Sequence, residues 1–374
     1  MSQQESYLDH LYVVVLCGGG GTRVWPLSVK KKPKQFLNFY SNQTLYQETV
    51  ERAKKLTSPE KIIIITNHQY EQEVLKETPE IPRENIIAEP QKKNTAMAMG
   101  VAAALVKKRD NDAVIVNLAS DHVVGDLDVY FTTLKNAAKI AYEDRRLVTV
   151  GIEPTYAHPG FGYIRVGKKV KTVNDMAVCE VEGFREKPDI KTAQEYVESG
   201  KYLWNANFYT WRADVILTSF DTLSPQIAAS VHSVESALGT DREKQRMVEE
   251  YGKVSEEPID TAISEKSDNL VVLRGKFKWN DIGSWEVVYE LGKKDGNGNV
   301  VVRSSDAREE TPVVVHDAKN NLIYCNNQAL AIVGLSDIVI VDTGEGILVC
   351  DRKRSNDVKK IVEQLKLKKL DKYL

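Results

Sequence analysis

Cysteine is scarce in this chain: four residues in 374, at Cys17, Cys179, Cys325 and Cys350. No pair has CxxC spacing, which excludes the common zinc knuckles and redox pairs and leaves buried free thiols, as expected in a reducing compartment. Long hydrophobic runs are also missing. No stretch reaches the roughly 20 apolar residues of a membrane-crossing helix. The apolar run that starts at Leu11 is too short for a secretory signal and breaks into glycine, so the sequence reads as cytoplasmic. Nor is there an excess of charge of one sign. Lys and Arg number 51 against 53 Asp and Glu, a net charge of −2. That gives no global reason to expect a nucleic-acid or membrane partner. An anionic ligand must then be met by local charge. With 42% hydrophobic and 28% charged residues, the composition is that of a folded globular chain, long enough for one large domain and a smaller one.

What is present is an alternation of buried strands and helices. Residues 1–10 are polar and read as a flexible N-terminus. YVVVL, KIIIIT, AVIVNLA and RLVTVGI read as strands. Helices are expected between them at Thr44–Leu56, Thr95–Lys108 and Tyr130–Tyr142, the first opened by Thr44 and Gln47 at capping-box spacing. Continuous β-branched runs alternating with helices predict an α/β fold, with a mixed, mainly parallel sheet covered on both faces. GFGYIRV and MAVCEVEGFREK predict an antiparallel extension, Thr192–Ser199 a short helix, and LWNANFYTWRA a further strand before helices to about Tyr251. A shift in composition at KKDGNGN separates residues 11–295 from residues 296–374. The latter predict a small β-rich domain closed by a helix that Ser355 caps, with Val358, Ile361, Val362 and Leu365 on one face.

The most informative stretch is LCGGGGTRVWPLSVKKKPKQF, from Leu16 to Phe36. A strand running into glycines lets backbone N–H groups converge on an anion and lets the anion come close. The spacing excludes two common forms. A P-loop needs Lys and then Ser or Thr after its last glycine, and Thr22-Arg23 follows Gly21. The dinucleotide fingerprint, counted from Gly18, would need glycine where Arg23 stands. Arg23 offers a planar fork of donors for phosphate oxygens and Lys34 a compact charge, whereas Lys30 to Lys32 read as a solvated face. The stretch closely resembles the nucleotide-binding loop of sugar-nucleotide pyrophosphorylases (nucleotidyltransferases), G-G-x-G-T-R-L-x-P-L-[ST]…P-K. Its Trp-Pro-Leu-Ser and Pro-Lys-Gln-Phe variants resemble the mannose-1-phosphate guanylyltransferase branch.

Further stretches match that family in order. AEPQKKNTAMA is similar to E-P-x-x-R-N-T-A, LASDHVV to P-A-D-H, and GFGYIR…VEGFREKP to G-Y-G-Y-I…F-x-E-K-P. WNAN is similar to W-N-S-G and KWNDIGSW to W-x-D-V-G-S-W. The resemblance implies a Rossmann-like, GT-A-like nucleotidyltransferase fold. It also implies nucleotidyl transfer between GTP and mannose 1-phosphate, giving GDP-mannose and diphosphate, in a homodimer assisted by Mg²⁺. On the nucleotide side it implies Leu16, Gly18, Gly19, Gly20, Gly21, Thr22, Arg23, Glu89, Asn94, Thr95, Ser120 and Asp121. On the sugar-phosphate side it implies Gly162, Glu186, Lys187, Asn205 and Asn207. Asp121 and Asp281 are implied as metal ligands; with Arg23, Lys34 and Lys187 they make the catalytic set. His122 reads as supporting, and Trp25, Trp204, Trp279 and Trp285 as core or pocket wall. Three positions depart from the family: Lys93 replaces arginine, Asn207 replaces glycine, and Ala119-Ser120 replaces Pro-Ala. Two other readings remain open here. One is the same chemistry on another sugar 1-phosphate with another nucleotide; the other is a silent regulatory subunit, which would be expected to have lost Arg23, Asp121, Lys187 or Asp281.

Overall fold

A computed structural model describes residues 6–19, 24–304, 307–308 and 311–374. The chain groups into two units. One comprises Met1–Cys17, Val50–Ala119 and Val124–Trp279; the other comprises Gly18–Thr49, Ser120–Val123 and Asn280–Leu374. The second unit therefore holds more than the tail after residue 295, because two loops leaving the sheet strands pack with that tail.

The first unit is built on a nine-stranded sheet. From one edge its strands are Ile86–Glu89, Ile62–Asn67, Leu11–Cys17, Val114–Ala119, Tyr202–Arg212, Leu147–Ile152, Leu270–Gly275, Met176–Arg185 and Gly162–Val173. The first four are mutually parallel. Tyr202–Arg212 runs against both of its neighbours, and Leu270–Gly275 is again parallel to Leu147–Ile152. The sheet is thus mixed and mainly parallel, with the antiparallel strand Tyr202–Arg212 at its centre. Its central strands are mostly apolar and buried on both faces because alternate side chains enter different cores. Tyr12, Val14, Ile63 and Ile115 pack with the alanine-rich helix Asn94–Arg109 and with the helices Ala213–Leu223 and Pro225–Ala237. Val13 and Val15, equally buried, point the other way. The helix Leu127–Asp144 packs on the strands Val114–Ala119, Leu147–Ile152 and Tyr202–Arg212.

The register decides where chemistry can sit. Leu16 pairs with Ala119, Cys17 with Thr66 and Asn67 with Glu89. The strand ends that lead to Gly18, Glu89 and Ser120 therefore share the carboxyl edge of the sheet, where open α/β sheets receive ligands. Two strands of the nine-stranded sheet escaped the sequence reading, Ile86–Glu89 and Leu270–Gly275. The N-terminus also differs from expectation. Residues 1–5 lie outside the described residues, but Tyr7 is buried and His10 Nδ1 meets Asp110 Oδ2 at 2.8 Å, so the chain is fixed well before Leu11.

In the second unit, Val300–Arg303, Leu322–Cys325 and Ile338–Asp342 stack in parallel, and Ile347–Asp351 adds an antiparallel edge. Val313–His316 and Leu330–Val333 form a parallel pair beside them. Short parallel rungs of this kind bury alternate residues. Leu322, Tyr324, Val339 and Val341 meet Val24, Phe39 and Trp285, while Ile323 and Ile332 fill a smaller core. The closing helix is Val358–Leu367. Ser355 does not cap it. It sits in the preceding 3-10 turn, and its Oγ accepts from the Glu286 N–H at 3.3 Å. Val358 and Val362 are buried but Ile361 is exposed, so the buried stripe is narrower than its sequence suggests. All four cysteines are free; Cys17 and Cys325 are buried, Cys179 and Cys350 only half-buried.

The capping box of the first helix forms as its spacing predicts. The Gln47 N–H donates to Thr44 Oγ1 at 3.1 Å, and the Thr44 N–H donates to Gln47 Oε1 at 3.0 Å. Thr44→Ala removes one half of the pair and should lower unfolding stability by about 1 kcal/mol in a urea titration. An unchanged midpoint would show that the box contributes nothing.

Candidate active site

The glycine loop leaves the end of a strand buried at every position but Leu16. Leu16 is half-buried near that end. Gly19 has φ +110, a conformation that side-chain-bearing residues rarely adopt, and a Cβ built on Gly18 or Gly19 would meet no other described residue within 4 Å. Gly20, Gly21, Thr22 and Arg23 lie outside the described residues.

Lys34 emerges from the same loop and is almost fully buried. Its ammonium lies 2.8 Å from Asp121 Oδ2 and also donates to the backbone carbonyl of Asp281. All three residues belong to the second unit, one from each of its three chain segments. Burial alone would raise the Asp121 pKa. The Lys34 ammonium and the His122 ring outweigh it and hold the carboxyl below its ordinary range, so it is ionised at neutral pH with a third of its side chain accessible. His122 is buried, with Nε2 3.6 Å from Asp121 Oδ1. Ser120 is buried, and its hydroxyl has no hydrogen-bond partner among the described residues. Asp281 sits in a tight turn. The Ile282 N–H donates to Asn280 Oδ1 at 2.8 Å, and Ile282 is held at φ +43, an unusual conformation for a β-branched residue. Trp285 follows in the core, its Nε1 donating to the Trp25 carbonyl at 3.0 Å.

In the first unit the residues expected on the sugar side converge. Asn205 pairs with Gly162 across adjacent strands. A Cβ on Gly162 would come within 2.6 Å of Glu186 Oε2 and 3.3 Å of the Asn205 Cβ, so glycine here lets Glu186 and Asn205 close in. Lys187 Nζ lies 2.5 Å from Glu186 Oε1, and its backbone is at φ +45. Asn207 is at φ +57. The register slips between Val150 and Gly151, which pair with Phe208 and Asn205, so Ala206 and Asn207 form a bulge. A left-handed residue is needed at that point, and Asn tolerates the conformation that glycine adopts freely.

Asp260 was not anticipated, yet it is the hub of this cluster. It opens a single π-helical turn, Asp260–Ser264, a feature often found at functional sites. Its Oδ1 accepts from Tyr209 Oη at 2.7 Å and from Asn205 Nδ2 at 2.8 Å. Burial and the nearby Glu186 carboxylate push its pKa up to about 6. Ser264 donates to Tyr209 Oη at 3.0 Å. Nothing in the spacing of PIDTAIS flags these residues; an acid among apolar residues was the only available signal. Trp204 and Trp279, expected as core or pocket wall, pack edge-on with Phe161, and Tyr156 packs edge-on against Trp204.

The residues expected around the nucleoside form a third group, also in the first unit. Glu89 ends its strand, and burial pushes its pKa up to about 7. The Tyr251 hydroxyl lies close enough to moderate this, although Glu89 Oε1 and the Tyr251 hydroxyl make no full hydrogen bond. Asn94 is at φ +66, and its Oδ1 accepts from the Thr95 N–H at 2.9 Å. Thr95 Oγ1 accepts from the Ile259 N–H at 2.8 Å. The Lys93 carbonyl accepts from the Glu257 N–H, and the Ala96 N–H donates to the Glu257 carbonyl. The start of this helix therefore anchors the strap that carries Asp260. That gives Thr95 a structural task its sequence position did not reveal.

Comparison with known proteins agrees with these motifs. Residues 12–298 match the nucleotidyl transferase family, and residues 311–365 match the MannoseP isomerase/GMP-like β-helix domain. A mannose-1-phosphate guanylyltransferase from Escherichia coli (strain K12) is 36% identical over 361 residues, 95% of this chain and 73% of that one. Another from Salmonella montevideo is 35% identical over 359 residues, 95% of this chain and 74% of that one. Among solved structures, one described as a mannose-1-phosphate geranyltransferase from Thermus thermophilus superposes with a TM-score of 0.81 at 28% identity, covering 96% of this chain and 99% of that one.

Glu89 yields a prediction with a definite sign. A carboxyl whose folded pKa is raised stabilises the fold fully below its unfolded pKa and loses that contribution as pH rises through the folded value, about 7. Glu89→Gln removes the titration. The melting temperature of the variant minus that of wild type, both without ligand, should increase from pH 5 to pH 8. A difference that is flat or falling with pH would show that Glu89 is not buried at this cost.

Proposed function

The chain belongs to the nucleotidyl transferase family, and we propose that it is a mannose-1-phosphate guanylyltransferase that converts GTP and α-D-mannose 1-phosphate into GDP-mannose and diphosphate. The observation that carries this reading is likeness to proteins of that name at 33–36% identity over some 95% of the chain. The positions of Lys34, Asp121 and Asp281 support it.

The reaction is an in-line displacement. An oxygen of the sugar phosphate attacks the α-phosphorus of the nucleotide as diphosphate departs. Two anions must be brought together and negative charge must be accommodated on the leaving group, so the protein contributes position and charge rather than a covalent step. On this reading the Gly18 and Gly19 backbones admit the triphosphate, and Arg23 supplies its fork to the departing oxygens. Lys34 keeps Asp121 ionised and ties Asp281 to the same ammonium. These two residues offer the hard oxygen donors that suit Mg²⁺ and would hold it there, where the ion would neutralise phosphate charge. Lys187 meets the sugar phosphate, with Glu186, Asn205 and Asn207 beside the sugar. Glu89 in its ionised form is an acceptor for the donor groups of guanine. The reading includes a cytoplasmic location, in keeping with four free thiols and with the absence, among the described residues, of any helix long and apolar enough to cross a membrane. It also includes a homodimer, which light scattering tests directly.

A substrate panel tests the function. Pyrophosphate release should be fastest with GTP and mannose 1-phosphate when each nucleoside triphosphate is offered with mannose 1-phosphate or glucose 1-phosphate in Mg²⁺. Faster turnover with another pair would assign the chain to another branch of the family, and no turnover with any pair would favour a silent subunit. For the metal ligands, Asp121→Asn and Asp281→Asn keep side-chain shape but remove anionic donors. Each should reduce turnover on the order of a hundredfold while the circular dichroism spectrum stays that of wild type. Wild-type rates at limiting Mg²⁺ would refute the assignment.

A further inference from the structure

The sugar-side cluster contains an ordered chain of hydrogen bonds that the proposed reaction does not by itself require. Ser264 donates to Tyr209 Oη at 3.0 Å, and Tyr209 donates to Asp260 Oδ1 at 2.7 Å. The same oxygen accepts from Asn205 Nδ2 at 2.8 Å. Asn205 Nδ2 also lies 3.2 Å from Asn207 Oδ1, and Asn205 Oδ1 accepts from the Asn207 backbone N–H at 3.3 Å. Asn205 is thus spoken for at both ends of its amide and is only 6% exposed. Asn207 is different. Its oxygen is taken, it is half-buried, and its side-chain nitrogen neither bonds to another described residue nor lies shut away from solvent.

The polarity of this chain has one physical source. An ionised carboxylate can only accept. Facing Asp260, Asn205 must turn its NH₂ inward, where one hydrogen serves Asp260 Oδ1 and Tyr209 Oη, the latter 3.3 Å away, and the other points to Asn207 Oδ1. Asn207 in consequence keeps its own NH₂ as the available end. Resting on the function proposed above, we infer that Asp260 is a positioning residue that acts through Asn205 to present the Asn207 amide nitrogen as a donor to a sugar hydroxyl, making Asn207 a determinant of sugar choice. The site is rigid where this requires it. Asn207 is locked in a bulge at φ +57, and Asp260 is held by the Ile259 N–H bonded to Thr95 Oγ1. A protonated Asp260 can donate as well as accept, so it no longer dictates which way Asn205 turns. Burial and Glu186 place that protonation at about 6, within reach of an assay. The titratable groups facing Asp260 are Glu186, Lys187 and Tyr209.

The experiment compares wild type, Asp260→Asn, Asn207→Gly and the double variant. It measures kcat/KM for mannose 1-phosphate and glucose 1-phosphate and the KM for GTP from pH 5 to pH 8. Each single variant should lower the ratio of the two kcat/KM values about tenfold, the worth of one hydrogen bond between neutral groups, and should raise the sugar-phosphate KM more than the GTP KM. The double variant should be no less selective than the worse single variant, because both act on one path. Wild-type selectivity should fall as pH drops through about 6, and this dependence should be absent from both single variants. If Asp260→Asn does not fold, the loss of that pH dependence in Asn207→Gly carries the same test. Selectivity unchanged in the variants, additive effects in the double variant, equal losses for both sugars, or a pH dependence that persists in Asp260→Asn would each overturn the inference while the function stands. A wild type that turns over neither sugar phosphate would overturn the function and this inference with it.

Discussion

One buried ammonium organises the second unit. Lys34 comes from the loop after the first strand, Asp121 from the short segment after the Val114–Ala119 strand, and Asp281 from the start of the C-terminal segment. A lysine is rarely buried without partners, because desolvating its charge costs several kcal/mol. Here the charge is met by a carboxylate and a carbonyl. The two charges are therefore reciprocal: removing Lys34 or the Asp121 carboxylate leaves the other, buried or half-buried, without its complement. The pairing also sets the chemistry, since an Asp121 held in its ionised form is a standing acceptor for a cation or a donor.

The sheet makes this arrangement reachable. Parallel strands all end at the same edge, so loops that are far apart in sequence begin side by side. The register that pairs Leu16 with Ala119 and Asn67 with Glu89 brings the strand ends before the glycine loop, at Glu89 and before Ser120 to one edge. The antiparallel strand Tyr202–Arg212 enters between parallel neighbours. Its bulge then turns Asn205 and Asn207 out of simple alternation, and Gly162 on an adjacent strand lets Glu186 close over them. Asn205 lies buried within a mostly apolar strand because its amide is satisfied by Asp260, Tyr209 and Asn207 rather than by water.

Much of this was legible in the sequence for a specific reason. The strands KIIIIT and AVIVNLA are continuous β-branched runs, and the helix at Asn94–Arg109 is almost free of strand formers, so local preference and burial agree. The glycine loop, Asp121, Glu186, Lys187 and Asp281 were readable because each stands in a motif whose residue types and order are distinctive. Asp260 was not. Its partners Asn205 and Tyr209 lie 55 and 51 residues away, and no periodicity announces a lone acid that turns inward. Leu270–Gly275 was missed because it follows a polar stretch and takes its place only through pairing with Leu147–Ile152 and Met176–Arg185. Ser355 has the residue type of a helix cap, but the chain continues through a 3-10 turn before the helix begins, and its hydroxyl serves Glu286 instead.

Backbone conformation adds a last constraint. Asn94, Lys187, Asn207 and Ile282 all have positive φ, and each lies in or beside a group of candidate residues. For Asn the cost is small. For Lys187, and above all for β-branched Ile282, it is on the order of 1–3 kcal/mol and persists only where the surroundings over-determine the conformation. Those surroundings can be named. Ile282 is buried in the core with Trp285 and Tyr324 while its N–H is held by Asn280, and the residue so fixed is its neighbour Asp281. Lys187 follows the Glu186 side chain with which it pairs. A relaxed turn at either place would aim the preceding side chain elsewhere. The packing that tolerates the strain is the same packing that fixes the direction of the carboxylates, so stability given up at these two residues is stability converted into orientation at Asp281 and Glu186.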